Sequence, residues 1–290
     1  MSLPAELPVV DHHCHLSPTG EGVAAAARFQ AEGGTHLFLA TQNYASGPPL
    51  ELEAYREQFE TTRTLARRVE EETAVRVFVV LAPYPVDLLA QAERLGVPAA
   101  LELQRAALDV AGRIVREQGA IALGEVGHPH FPYPENLREA VDLVLDHAFE
   151  VGRDVGCPVV LHGEELTEEG FAALSGQAAR ASFPVQRLVK HYHRTVLAAD
   201  QYHGLVPSYL AKRELTEAAL RTAGPWFLET DFLDDPKRPG AVLDLTTVPR
   251  RVRQALEKDP AMLERFRIPF EESVEAVYGF RPVPPPERAR

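Results

Sequence analysis

Five stretches of this chain hold imidazole and carboxylate side chains in patterns that could share a metal ion. They are Asp11-His12-His13-Cys14-His15, Glu125 in ALGEVG, His162 in VVLHGEE, His191 and His193 in LVKHYHR, and Asp231 in FLETDF. Residues two apart on an extended strand share a face. Asp11, His13 and His15 are therefore expected to point together, with His12 and Cys14 turned the other way, so that His13 and His15 can grip one ion. An isolated HxH is more often a polar turn than a ligand pair. Here four further segments end in the same residue types, and burying such a cluster is costly unless it is paired or metal-bound. Imidazole with carboxylate suits zinc, manganese, iron or nickel better than calcium, which prefers oxygen throughout. His13, His15, Glu125, His162, His191 and Asp231 together exceed the three protein ligands usual for a catalytic zinc. Two divalent ions are expected, about 3.5–4 Å apart, lowering the pKa of water to about 7 to give a hydroxide nucleophile. Glu125, with two oxygens and a position between the histidine groups, is the expected bridge.

Positioning these groups requires strands that end near one another. Eight short apolar runs, at 7–13, 35–40, 75–82, 120–125, 158–162, 185–191, 204–208 and 226–231, lack the alternation of a half-solvated strand and read as parallel strands buried on both faces. Between them, 22–32, 50–72, 98–118, 134–151, 166–180, 213–222 and 241–257 are rich in helix-forming Ala, Leu, Glu and Arg. This alternation predicts an α/β fold, a single-domain (β/α)8 TIM barrel whose strand C-termini carry the chemistry. An open doubly wound sheet is the competing arrangement. The barrel is expected over 1–280, followed by a Pro-rich tail over 281–290 that cannot continue a helix.

Charge and cysteine content narrow the function further. With 42 acidic and 30 basic residues the net charge is −12, which disfavours duplex DNA, whose binding depends on Lys and Arg neutralising phosphates. Two isolated cysteines make no disulfide framework, and neither a basic leader nor a membrane-length apolar run is present, so a cytoplasmic setting is expected.

In order, DHHCH, GEVG, VVLHGE, VKHYH and LETD, spread over roughly 9–236, resemble the TatD-related metal-dependent hydrolases of the amidohydrolase superfamily. The resemblance implies the same barrel. It also implies metal ligation by the HxH pair, the strand-four Glu, the histidines ending strands five and six, and the strand-eight Asp, here His13, His15, Glu125, His162, His191 and Asp231. DNA exonuclease activity in some members implies a phosphodiester substrate. Two departures mark a divergent subgroup: His191-Tyr192-His193-Arg194 stands where an HCFSG-like stretch is usual, and Gly127-His128-Pro129-His130 replaces GLD.

The expected reaction is attack by metal-bound hydroxide on a phosphoester of a small molecule or single-stranded nucleic acid. An amidohydrolase acting on an amide or lactone, or a catalytically silent metal-binding barrel, are the alternatives. Asp231 is expected to serve as weak ligand and general base, and Glu229, deeper on the same face, to orient a ligand. His191 is preferred to His193 because it directly follows Leu188-Val189. His128 and His130 could donate to a substrate oxyanion and Arg194 could bind phosphate, whereas Lys190 should point away from His191. Cys14, Cys157, His36 and His147 read as structural.

Overall fold

Residues 3–235, 237–238 and 241–284 are described by the computed structural model. The apolar runs form the strands β1 (Val10–His15), β2 (His36–Ala40), β3 (Arg76–Leu81), β4 (Ala122–Gly127), β5 (Val159–His162), β6 (Leu188–His193), β7 (Val206–Leu210), β8 (Phe227–Glu229) and β9 (Phe232–Leu233). β1, β2, β4 and β7 are buried along their whole length. That is the condition for which continuous hydrophobic runs are suited. The long helices α1 (Val23–Ala31), α2 (Leu52–Glu72), α4 (Val97–Arg116), α5 (Arg138–Val155), α6 (Glu168–Arg180), α7 (Arg213–Ala219) and α8 (Thr247–Lys258) fall within or close to the expected spans.

Every strand pairs in parallel with its neighbour in the order β8-β7-β6-β5-β4-β3-β2-β1-β9. The eighth strand position is filled by two halves, β8 within the expected 226–231 run and β9 just beyond it. Between them Thr230 and Asp231 leave regular pairing, and Asp231 adopts a left-handed φ of 50°. The two halves join β7 to β1 and close the barrel. Asp11 fastens this seam: its carboxylate accepts from the Thr230 amide (3.0 Å) and hydroxyl (2.6 Å), while the Asp231 amide donates to His13 O (2.9 Å). Asp11 is thus spent on closure and does not join His13 and His15, because the register of β1 shifts between Asp11 and Cys14.

Among the described residues three α-helices lie outside the expected ones. α3 (Asp87–Leu95) is a short helix set off from α4 by Gly96, whose φ of 82° favours glycine. α9 (Met262–Arg267) and α10 (Ser273–Tyr278) flank a π-helical turn, Ile268–Glu272. The end of α10 plugs the N-terminal mouth of the barrel. Tyr278 OH lies 2.8 Å from His12 Nε2, and the rings of Tyr278 and Phe280 pack on Phe38 and Phe78. His12 also stacks on Phe227, with ring centroids 3.7 Å apart. The Pro-rich tail is described only as far as 284, without regular structure, and 285–290 lie outside the described residues. Among the described residues no helix is long and apolar enough to cross a membrane.

The loop after β2 is latched to α3, since Asn43 Nδ2 donates to Asp87 Oδ1 at 2.7 Å. Burial pushes the Asp87 carboxyl up to about 7 despite hydrogen bonds from Asn43 and Tyr55. A carboxyl whose folded pKa is raised holds its proton better in the native state. Its favourable contribution is complete at acid pH and is lost as pH climbs from about 4 through about 7. Asp87→Asn keeps the acceptor for Asn43 without the charge, so its melting temperature is expected to exceed that of the parent by a few degrees at pH 8 and to match it near pH 4. An equal difference at both pH values would contradict this account of Asp87.

Candidate metal centre

The C-terminal ends of β1, β4, β5 and β6 and the β8–β9 junction bring six expected residues together. Glu125 is at the middle. Its Oε1 lies 2.6 Å from His191 Nε2, 3.1 Å from His162 Nδ1 and 3.4 Å from His13 Nε2, while Oε2 lies 3.8 Å from His15 Nε2. Asp231 Oδ1 sits 3.6 Å from His15 Nε2 and 3.8 Å from His13 Nε2. Two sets, His13–His15–Asp231 and His13–Glu125–His191, each offer donor atoms within 4.8 Å of one another and share His13.

The donor chemistry fits divalent cations. His13 Nε2 and His15 Nε2 are 3.2 Å apart, as are His162 Nδ1 and His191 Nε2. Two imidazole nitrogens at that distance must share a proton or turn lone pairs upon one another, and a cation between them removes the conflict. Charge is redistributed in the same sense. Burial alone would raise the Glu125 carboxyl, but the imidazoles of His191 and His162 outweigh it and hold Glu125 well below the ordinary range. Burial likewise opposes protonation of His191, yet Glu125 and Glu229 lift it to about 10. Asp231 is held low by His15, His191 and His13 against its own burial.

Groups behind the cluster set its orientation. Glu229, fully buried on β8, accepts from the Tyr192 amide at 2.7 Å and from the Ser208 hydroxyl, and its Oε1 lies 3.4 Å from His191 Nδ1. His15 Nδ1 faces Ala40 O at 3.2 Å. In both histidines this leaves Nε2 for the centre, the arrangement that fixes a ligating imidazole. His162 is turned the other way, with Nδ1 toward Glu125 and Nε2 2.9 Å from His130 Nδ1 and 3.4 Å from Tyr84 OH. Gly127 permits the close crossing of the β4 and β5 ends: its φ is 128°, and a Cβ there would lie 2.4 Å from His162 O.

His191 and His193 do not share a surrounding. The register of β6 shifts between Lys190 and His193, and Tyr192 has a φ of 57°, which ends the alternation that would put them on one face. His191 joins the cluster. His193 is enclosed by Phe171, Tyr202 and Tyr209, with Nδ1 3.3 Å from Glu165 Oε1. Lys190 points away from the cluster, donating through Nζ to His191 O (2.6 Å) and Gly163 O (3.2 Å).

Above the cluster opens a cleft of about 800 Å³, lined among others by Gln42, Tyr84, His130, Tyr192 and Arg194. His130 therefore reaches the cleft. His128 does not: its ring is held by Tyr133 OH (2.8 Å) and Asp142 (3.2 Å) in a neighbouring cavity. Arg194 lines the cleft beside Glu165, which accepts from its amide at 3.0 Å and lies 3.5 Å from its Nε. Tyr84 and Glu165 were not anticipated. The signals available were the position of Tyr84 just after strand three and the second Glu of HGEE. Cys14 and Cys157 are buried free thiols, and His36 is buried beside Phe78. His147 finds an outer partner in Asp109 at 2.8 Å.

A family model described as TatD related DNase matches residues 10–279. The chain belongs to the TatD family. An uncharacterised protein of Methanocaldococcus jannaschii is 30% identical over 284 residues, covering 96% of this chain and 98% of its own. Among solved structures, the TatD homolog YJJV of Escherichia coli superposes with a TM-score of 0.63 at 16% identity, covering 93% of this chain and 97% of that one. A TatD-like protein of Archaeoglobus fulgidus gives 0.61 at 14% identity, over 92% and 99%. An organophosphorus hydrolase of Deinococcus radiodurans gives 0.59 at 14% identity, over 96% and 94%. At these identities the structural likenesses speak for the barrel. Family membership makes this chain a metal-dependent hydrolase.

His191→Ala is expected to lower the metal content of the purified protein. His193→Ala is expected to leave it unchanged while costing roughly 2–4 kcal/mol of stability from the emptied aromatic cage. Elemental analysis beside thermal melts checks both, and loss of metal from the His193 variant alone would reverse the assignment. Glu229→Gln should weaken metal affinity by about 10–100-fold without unfolding the chain, as read by competition with a chelating dye.

Proposed function

We propose that this TatD-family protein is a binuclear hydrolase of phosphoesters carried by small or single-stranded substrates. The observation that carries the reading is Glu125, a buried carboxylate within 3.4 Å of nitrogens from three histidines on three different strands. His13, His15 and Asp231 would hold one ion, His162 and His191 the other, and Glu125 would bridge them. Zinc, manganese, iron or nickel suits these donors. Such ions supply Lewis-acid polarisation of the scissile group and acidify water enough to make a nucleophile at neutral pH.

The chain's own residues do the rest. Asp231 has the most exposed side chain of the six, at 16%, and so reaches the cleft. Its carboxylate takes the proton of the attacking water and returns it to the leaving oxygen, a role typically worth about 10²–10⁴-fold in rate. Glu229 holds His191 in the tautomer that turns Nε2 inward. Tyr84 and His130 stand beside His162 at the cleft wall, where their polar hydrogens meet an anionic substrate oxygen. The phosphoester is supported by the DNase description of the family.

The rim favours compact substrates. Arg194 and Arg238, both lining the cleft, each have a carboxylate beside them, Glu165 at 3.5 Å and Asp235 at 2.8 Å, which lowers the net positive charge that the rim presents to a long polyanion. The same observation favours a second reading, a lactone or other carboxyl ester. Deinococcus radiodurans proteins of similar fold are described as an organophosphorus hydrolase and a phosphotriesterase-like lactonase. A panel of phosphodiesters, phosphomonoesters, lactones and amides distinguishes them. Turnover of a phosphoester, abolished by chelator and restored by Zn²⁺ or Mn²⁺ but not Ca²⁺, is the expected result. Turnover of lactones alone establishes the second reading, and no metal-dependent turnover rejects both.

Asp231→Asn keeps an oxygen donor but removes the base. It is expected to retain most of its metal while kcat falls at least about tenfold, and an unchanged kcat across pH would place the base elsewhere.

A further inference from the structure

A second cleft of about 600 Å³ opens beside the first, between α5 and α6 and under the 127–133 loop. His162, Gly163 and Glu164 line both cavities, so only this ridge separates the second cleft from the metal-facing cluster. Its volume lies within the range of about 300–1,000 Å³ typical of small-molecule sites.

The polar side chains deep in this cleft are already partnered. His128 is held by Tyr133 and Asp142, Gln177 Nε2 donates to Asp146 at 2.9 Å, and Lys190 Nζ is taken by the carbonyls of Gly163 and His191. What the cleft offers a ligand is apolar surface from Phe131, Leu166 and Leu174, with the buried Leu145 and Leu161 behind them. Phe131, at its mouth, leaves 39% of its surface exposed, which is unusual among the large hydrophobic side chains of this chain. The cleft over the cluster mixes polar and apolar walls in about equal measure, whereas the second cleft is mostly apolar. The adjoining cleft is therefore placed to add apolar affinity to what the groups around the cluster supply.

We propose that the second cleft is a substrate subsite that takes the apolar alkyl or aryl group of the ester hydrolysed at the metal-facing cluster. This rests on the hydrolase reading above and narrows it to esters with a sizeable apolar group, bound with the scissile bond over Glu125 and the chain crossing the 162–164 ridge. Each methylene buried there strengthens binding by up to about fourfold.

Two assays test it on the metal-loaded full chain. The first compares kcat/KM along alkyl 4-nitrophenyl phosphodiesters and γ-alkyl lactones lengthened from methyl to octyl. The second measures calorimetric binding of methylphosphonate and octylphosphonate, which are not hydrolysed. The octyl compound is expected to be preferred by at least about tenfold in both. Leu174→Trp, which fills the cleft from α6, should collapse that ratio toward one, and Phe131→Ser, at an exposed position that leaves the fold intact, should reduce it. An octyl preference absent from the parent protein, or kept in full by both variants, overturns the subsite. If neither ester series is hydrolysed, the hydrolase reading fails on that result, while the phosphonate ratio and its response to the variants still decide the subsite.

Discussion

One carboxylate, Glu125, sets the terms for the rest of the site. Buried at the end of β4, it lies within 3.4 Å of ring nitrogens from His13, His162 and His191. Such a group is tolerable in a barrel interior only if positive charge neutralises it. A proton on His191, whose pKa Glu125 and Glu229 lift to about 10, does so partially. Divalent cations do so more completely, since they also separate the imidazole pairs that face each other at 3.2 Å. The barrel's strand ends, the left-handed residues Tyr192 and Asp231 and the bracing by Glu229 can all be understood as means of holding donors around that charge.

The closure of the barrel and the centre are built from the same residues. Asp11 ties Thr230 to β1, and the Asp231 amide bonds the carbonyl of His13. The seam where the sheet closes is therefore also where one candidate donor set, His13–His15–Asp231, is assembled. Loosening the seam would move both at once. At the opposite rim, Tyr278 and Phe280 fill the mouth with aromatic rings, which leaves the C-terminal rim as the open end.

Much of this was legible in the sequence for physical reasons. Continuous apolar runs bounded by helical stretches can satisfy their backbone groups only in a parallel sheet covered on both faces, so the barrel and its strand ends followed from pattern. The six clustered residues followed because each ended such a run. What escaped was local backbone geometry. The register shift in β1 removed Asp11 from the cluster, and the turn at Tyr192 separated His191 from His193, although strict alternation keeps both pairs together. The divergence of His128 from His130 depends on how one Pro-flanked loop folds over α5, which no residue type announces. α3 was missed because Pro83 and Pro85 before it and Gly96 and Pro98 after it read as loop punctuation.

We propose that the cluster around Glu125 holds two divalent cations. Anomalous diffraction from crystals of the protein grown with Zn²⁺ or Mn²⁺ tests it most directly. Two peaks about 3.5–4 Å apart are predicted, one among His13, His15 and Asp231 and the other between His162 and His191, with Glu125 touching both. A fully loaded crystal with no peak at Glu125, or with metal only at outer pairs such as His128–Asp142 or His147–Asp109, would contradict it.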